Sequence, residues 1–330
     1  MRILSGCQPS GKLHIGNYFG AIRQYVDFQH KGHGLYFIAD LHALTTIRDP
    51  RKMAELSRSV ALDYLALGLD PEKATLFKQS DIPEVCELSW ILSTVTPMGL
   101  LERAHSYKDK VAHGISPDHG LFAYPVLMAA DILIYHSDLV PVGKDQKQHV
   151  EITRDIAVKF NQTYCPKFDP GTGKGGALKL PESFIQDDTA VVPGIDGQKM
   201  SKSYGNTIEI FASDNEVKKK IMAIKTDSTP VEAPKDPDKC NVYALLKLFA
   251  AKDELKAIRE QYTKGGVGHG DFKKKLLEFF HRAFDGARAK HTELIKNEDY
   301  VNDVLRKGAE RARAIATPVM DEVRRVTGLR

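Results

Sequence analysis

Gln8-Pro-Ser-Gly-Lys-Leu-His14-Ile-Gly16-Asn17 stands between an apolar run at residues 2–6 and a helical pattern that opens near Gly16. Strand, polar glycine-containing loop and helix start follow one another within fifteen residues. In a doubly wound sheet this is where nucleotides bind, because strand C-termini and helix N-termini converge there. The helix start offers unpaired N–H groups and the positive end of its dipole to a phosphate. Gly16 permits close approach of a ligand, and His14 and Asn17 supply donors. Taken alone, His-x-Gly-Asn has little specificity, since a surface histidine capping a turn looks the same.

Outward from this stretch, further apolar runs occur at residues 35–39, 74–77 and 139–142. Amphipathic stretches separate them, such as 51–67, where Ala54, Val60, Ala61, Tyr64 and Leu65 fall near helical spacing. Alternation of this kind favours a parallel sheet with helices on both faces. Loop signals at residues 171–176 and 193–197 mark a change of character, and after Asn206 the pattern is helical almost to the end. Helices are expected at 214–226, 241–251, 253–262, 272–295 and 299–327. The expected fold class is α/β, a doubly wound parallel sheet followed by a C-terminal all-helical domain. The expected domains are 1–197 and 198–330, with the last helix a candidate to pack back on the first.

Bulk composition narrows the function classes. The chain has 330 residues, 42% hydrophobic and 27% charged, ordinary values for a soluble globular protein. No apolar run is long enough to span a bilayer, and Met1-Arg-Ile-Leu is no signal-peptide start. The four scattered cysteines, Cys7, Cys86, Cys165 and Cys240, have neither metal-ligand nor secreted spacing and read as free thiols in a reducing cytoplasm. A cytoplasmic protein with no membrane contact and no protein-held metal is expected. The net charge of +4 is uneven, because residues 199–330 carry 27 Lys and Arg against 20 Asp and Glu. A basic C-terminal part suits a polyanion, although a solvated helical surface has the same composition. The single Trp90 is expected to be buried.

Lys199-Met-Ser-Lys202-Ser203, flanked by Gly197 and Gly205, is the second informative stretch. Two lysines and two serines on one loop can wrap a triphosphate and neutralise charge on a departing pyrophosphate. His-Ile-Gly-Asn at a strand–loop–helix, followed much later by Lys-Met-Ser-Lys-Ser, resembles the paired motifs of the class I aminoacyl-tRNA synthetases. The resemblance covers nearly the whole chain and points to the compact tyrosine/tryptophan branch.

Tyr124-Pro-Val-Leu-Met128-Ala-Ala-Asp131-Ile132 resembles the substrate helix of the tryptophan side of that branch. Met128 and Asp131 are three residues apart and share a helix face. A carboxylate in an apolar run needs a partner. The resemblance implies the substrate's indole N–H, while a structural partner inside the fold is the alternative. It further implies that Leu4, His42, Tyr124, Met128, Ile132, Val140, Val142 and Gln146 line or adjoin the tryptophan slot. The family often has an aromatic where Leu4 stands, so that wall is expected to be looser. Gly143-Lys144-Asp145-Gln146 resembles the segment whose Gly and Asp reach the ATP ribose. Lys108 and Lys110 resemble lysines that approach the departing phosphates. The nucleotide set implied is then Gln8, Pro9, Ser10, Gly16, Asn17, Gly143, Lys144, Asp145 and Val191, with Lys199, Met200, Ser201, Lys202 and Ser203 of the loop.

What the resemblance implies is ATP-dependent attachment of L-tryptophan to its tRNA, tRNA(Trp), through an adenylate. Mg²⁺ would accompany ATP, and His14, Asn17, Lys199 and Lys202 would carry the catalysis. The family's homodimeric state and anticodon binding by the helical domain are also implied. A tyrosine enzyme with the same fold and phosphate motifs is the nearest rival. More distant are a small-molecule adenylyltransferase and a non-catalytic paralogue that binds RNA or an amino acid.

Overall fold

The central strand β1 (Arg2–Cys7) pairs in parallel with β2 (His33–Ile38), which pairs with β3 (Ala74–Lys78). On its other side β1 meets β4 (Leu139–Val142), and β4 meets β5 (Glu182–Ile185), again in parallel. The order is β3-β2-β1-β4-β5. The computed structural model describes residues 1–103, 118–143, 147–185 and 192–329, and at 183–185 the backbone alone. In β2 every residue from Gly34 to Ile38 is buried, as expected for a parallel strand covered on both faces. The expected parallel sheet is thus present, with one strand more than the sequence announces. β5, Glu-Ser-Phe-Ile, is a four-residue edge strand without the apolar run that marks the others.

Strand order reverses between β1 and β4, so the crevice for a ligand lies at their C-terminal ends. Three short pieces follow β1: α1 (Ile15–Asn17), a π-helical turn at Tyr18–Ile22, and α2 (Arg23–Phe28). After β2 come α3 (Asp40–Ala43) and α4 (Pro50–Ala66), the latter capped by Asp49, whose carboxylate accepts from the N–H groups of Arg51 and Lys52. α5 (Glu84–Ser93), α6 (Met98–Glu102), α7 (His119–Leu133) and α8 (Lys147–Tyr164) complete the α/β half.

The remainder is helical: α9 (Asp214–Met222), α10 (Asn241–Phe249), α11 (Lys252–Lys264), α12 (His269–Ile295) and α13 (Glu298–Thr327). α9 ends four residues short of the expected 226, because the Lys225 N–H donates to the Ile195 carbonyl at 2.7 Å instead of continuing the helix. α13 returns to the sheet and runs across β3, so closely that a Cβ on Gly308 would stand 1.8 Å from the Leu76 carbonyl oxygen. Arg313–Glu84 and Arg324–Glu87 tie it to α5.

Apolar packing fills both faces of the sheet. On one face Ile38, Val60 and Leu76 join Leu246, Phe272 and Phe280 of the helical half. On the other, Leu4, Leu35 and Phe77 join Leu133 and Phe160, together with Ala312, Ala316 and Met320 of α13. Contrary to expectation, Trp90 is 73% exposed, on the outer side of α5. Among the described residues no helix is long and apolar enough to cross a membrane.

Candidate active site

The first helix start and the chain just beyond the lysine loop are stitched together by backbone. Ile15 N–H donates to the Ile208 carbonyl at 3.0 Å, and Ile210 N–H donates to the Leu13 carbonyl at 3.1 Å. The strap at 207–212 therefore lies beside the first helix start and brings the lysine loop with it. Lys202 Nζ donates to the Gly11 carbonyl at 2.8 Å and to Ser10 Oγ at 3.3 Å. Met200 anchors this loop. Its side chain is buried, its N–H donates to the Val192 carbonyl at 2.9 Å, and a Cβ on Gly16 would lie 3.3 Å from Met200 Cβ. With Met200 turned inward, Lys199, Lys202 and Ser203 stay exposed, and Lys202 reaches the first loop. Ser201 and Ser203 share a hydroxyl hydrogen bond of 2.7 Å.

Asn206 holds the loop from below, a role the motif does not announce. It is 2% exposed; its Oδ1 accepts from Ser201 N–H, and its Nδ2 donates to Asp196 and to the Lys199 carbonyl. Gly205 closes the turn at φ +64, a left-handed conformation that favours glycine. Lys220 Nζ fastens it by donating to the Gly205 carbonyl at 3.0 Å.

His14 is 4% exposed, and its Nδ1 is a buried polar atom without a hydrogen-bond partner among the described residues. Burial, and then the Lys202 ammonium, push its pKa down to about 4, so the imidazole is neutral at pH 7. Asn17 Oδ1 accepts from His14 N–H at 3.3 Å, which orients the Asn17 amide at the helix start. Desolvation lowers the Lys202 pKa, partly offset by Cys7, Asp63 and Glu209 nearby. The result is a cluster of donors around the C-terminal end of β1, where phosphate oxygens are welcome.

Beside it a cavity of about 440 Å³ opens between the ends of β1 and β4. Leu4, His42, Tyr124, Met128, Asp131, Ile132, Val140 and Val142 all line it, as do Gln8 and Gly143 of the expected nucleotide set. Pro9 is buried at the edge of the same loop, while Gln8 and Ser10 are exposed. Phe37, not among the expected lining residues, supplies an aromatic wall. Its ring lies over Gly6, where a Cβ would meet it at 2.4 Å, so the small residue in β1 makes room for the ring from β2.

Among the described residues Asp131 is the single carboxylate lining this slot; it is 2% exposed, and burial raises its pKa. His42 Nε2 stands 2.8 Å from its Oδ2, and Gln79 Nε2 donates to both oxygens at 2.8 and 2.9 Å. Gln79 was not singled out from the sequence. The available signal was its place just beyond an apolar parallel strand, where ligand-facing chemistry gathers. Tyr124 reaches His149 Nε2 at 2.7 Å through its hydroxyl. Lys108, Lys110, Lys144, Asp145, Gln146 and Val191 lie outside the described residues.

A parallel sheet of this order, with a donor-rich helix start and a lysine loop closing on one cleft beside an amino-acid-sized slot, is the catalytic architecture of a class I aminoacyl-tRNA synthetase. Residues 1–285 match the model of the family described as tRNA synthetases class I (W and Y), and the chain belongs to that family. It is 53% identical over 328 residues to the tryptophan–tRNA ligase of Fusobacterium nucleatum, covering 99% of this chain and 98% of that one. Identity to the tryptophan–tRNA ligase of Rhodopirellula baltica is also 53%, over the full length of both chains. Among solved structures, the tryptophanyl-tRNA synthetase of Campylobacter jejuni complexed with ADP and tryptophan superposes with a TM-score of 0.92 at 51% identity, covering 99% of this chain and all of that one.

Proposed function

We propose that this chain joins L-tryptophan to tRNA(Trp) at the expense of ATP. Tryptophan–tRNA ligase activity accords with full-length relatives at about half identity. The observation that carries the amino-acid choice is the Asp131 carboxylate, set into an apolar slot that adjoins the nucleotide cleft. Indole has one donor and no acceptor, so a fixed acceptor in an apolar slot selects it. Phenylalanine would leave Asp131 without that donor, and sites of this type discriminate by roughly 10⁴–10⁵.

In the first step the tryptophan carboxylate attacks the α-phosphorus of ATP in line and pyrophosphate leaves. Positioning and charge stabilisation carry this step, because the chain need supply no nucleophile. Gln8, Pro9, Ser10 and Gly16 hold the nucleotide; neutral His14 and the oriented Asn17 amide donate to the reacting phosphate. Lys199 and Lys202 close on the β- and γ-phosphates, with Met200, Ser201 and Ser203 shaping the loop. By their sequence pattern, Lys108 and Lys110 meet the departing phosphates. Gly143, Lys144 and Asp145 hold the ribose, Val191 borders the nucleotide and Gln146 serves the amino acid. In the second step the terminal ribose 2′-hydroxyl of the tRNA attacks the adenylate carbonyl and AMP leaves.

Mg²⁺ would accompany ATP and would supply charge neutralisation on its phosphate oxygens. The described cleft fits that arrangement, since Lys202, His14 and Ser10 present phosphate-binding donors rather than carboxylates. Residues 1–197 form the catalytic unit, and residues 198–330 carry the lysine loop and the surface that meets the anticodon. The working form is a cytoplasmic homodimer. ATP–pyrophosphate exchange measured with each of the twenty amino acids tests the activity: exchange should depend on tryptophan, and equal exchange with tyrosine would overturn the assignment.

A further inference from the structure

Gln79 does not line the slot; it stands behind it. It opens the short 3₁₀ turn Gln79–Asp81 at the end of β3 and is 1% exposed. The turn is pinned by Asp40, which accepts from Ser80 N–H at 3.0 Å and from the Ser80 hydroxyl. The side-chain amide is oriented from both ends. Its Oε1 accepts from His42 N–H at 3.3 Å, and its Nε2 donates to Asp131. A flipped amide would set donor against donor and oxygen against carboxylate, so only one orientation satisfies the network.

We propose that Gln79 is a positioning residue for amino-acid selection, holding Asp131 as an acceptor-only group aimed into the slot so that an N–H donor is demanded of the substrate. This rests on the assignment of Asp131 as the group that meets the indole. Among the described residues Asp131 Oδ2 takes both His42 and Gln79, whereas Oδ1 takes Gln79 alone. A carboxylate has about four lone-pair sites, so Oδ1 keeps capacity for a third donor. Burial favours the neutral acid; His42, then Gln79, favour the carboxylate, and Asp40 opposes them. The other groups around Asp131 are Cys86 on α5 and Tyr135 following α7, with Glu84 facing Tyr135 and paired to Arg313. Lys78 and Asp81 pair with each other at 3.4 Å. None of these replaces the Gln79 amide as a donor to Asp131. Without that amide a buried carboxyl takes up a proton more readily, and a protonated acid offers a donor where the substrate needs an acceptor.

Two substitutions give opposite pH signatures. Gln79→Met keeps the length and removes the donor. The KM for tryptophan should rise about ten-fold, the order of one hydrogen bond to a charged group, and rise further on acidification, with the KM for ATP unchanged. Gln79→Glu sets two carboxyls together, which share a proton at low pH and repel at high pH, so its KM for tryptophan should rise on alkalinisation instead. A tryptophan analogue with sulfur in place of the indole N–H supplies a second readout. The preference for tryptophan over this analogue should shrink about ten-fold in Gln79→Met, whereas a general packing defect would slow both alike. If the Met variant fails to fold, the Glu variant carries the test alone. Unchanged KM values, equal losses for tryptophan and ATP, or an unchanged preference would overturn the proposal. Asp131→Asn is measured alongside. If it leaves the KM for tryptophan unchanged, the assignment of Asp131 fails. If it raises that KM while the Gln79 variants behave like the parent, only the role of Gln79 fails.

Discussion

Lys202 Nζ and the Gly11 carbonyl meet at 2.8 Å across 191 positions of sequence. Gly11 adopts φ +104, a conformation open to glycine. In this arrangement the ammonium rests on protein oxygens, the Gly11 carbonyl and Ser10 Oγ, which triphosphate oxygens can replace as the loop closes. The first half of the chain therefore supplies resting partners for a cation of the second.

Replacing that cation tests its role. Lys202→Met keeps most of the side-chain volume and removes the charge. Tryptophan-dependent pyrophosphate exchange should lose about 10²–10³ in kcat, the order found when a transition-state charge donor is removed. The KM for tryptophan should change little, because the amino-acid slot does not include Lys202. Steady-state exchange kinetics decide, and an unaltered kcat would take the lysine loop out of the chemistry.

His14 makes acid stability a readout of the same cleft. Its folded pKa of about 4 lies below the value near 6.5 of an exposed histidine. Between these two values the unfolded chain binds more protons at this site, so its contribution to stability is complete above pH 6.5 and declines as pH falls toward 4. His14→Gln retains a polar side chain that does not titrate. Urea midpoints at pH 7 and pH 5 should therefore differ less in His14→Gln than in the parent, and identical differences would show that the buried imidazole is not held neutral.

The sequence was most legible where one short stretch carries its own geometry. Apolar runs marked β1 to β4, and the His14–Asn17 and Lys199–Ser203 patterns marked two stretches that the fold brings together. β5 escaped notice because Glu182 and Ser183 dilute its apolar character at a sheet edge. Gln79 and Asn206 escaped for a different reason. Each is an amide whose role exists only once the chain folds around it: α3 and α7 converge from a distance on Gln79, and the loop 196–201 wraps locally onto Asn206. Phe37 could be read as a buried strand residue, but its place over Gly6 depends on the register of β1 with β2. Trp90 misled because large aromatics are usually well buried, whereas here it points away from α5 into solvent.

Gly308 shows how closely the last helix depends on the sheet. A methyl group there would stand 1.8 Å from the backbone oxygen of Leu76 in β3, and backbone inside a paired strand cannot move aside cheaply. Gly308→Ala should cost about 3 kcal/mol or more, the upper end of overpacking penalties, even though alanine is the better helix former. Urea unfolding measures this, and a stabilised variant would mean that α13 does not cross β3 at this residue.

Asp63 and His291 join α4 of the α/β half to α12 of the helical half, with Asp63 Oδ1 and His291 Nε2 3.1 Å apart and the Asp63 side chain 4% exposed. The His291 ring also stacks on Phe211 at 4.0 Å, and Arg288, one turn earlier, donates to the Ala212 carbonyl and pairs with Asp214. The strap beside His14 is thus gripped by α12 at two successive residues. His291→Ala would leave the Asp63 carboxylate buried without this partner, an error that costs about 3–5 kcal/mol when a buried pair is broken from one side. It would also strip the ring from Phe211. Replacing both partners by leucine removes the stranded charge and restores apolar contact with Phe211, so Asp63→Leu/His291→Leu should be more stable than His291→Ala alone. Urea denaturation of the three proteins checks the order. If the double variant proves the least stable, the pair contributes net attraction beyond its own desolvation, and the junction between the two halves is electrostatic rather than packed.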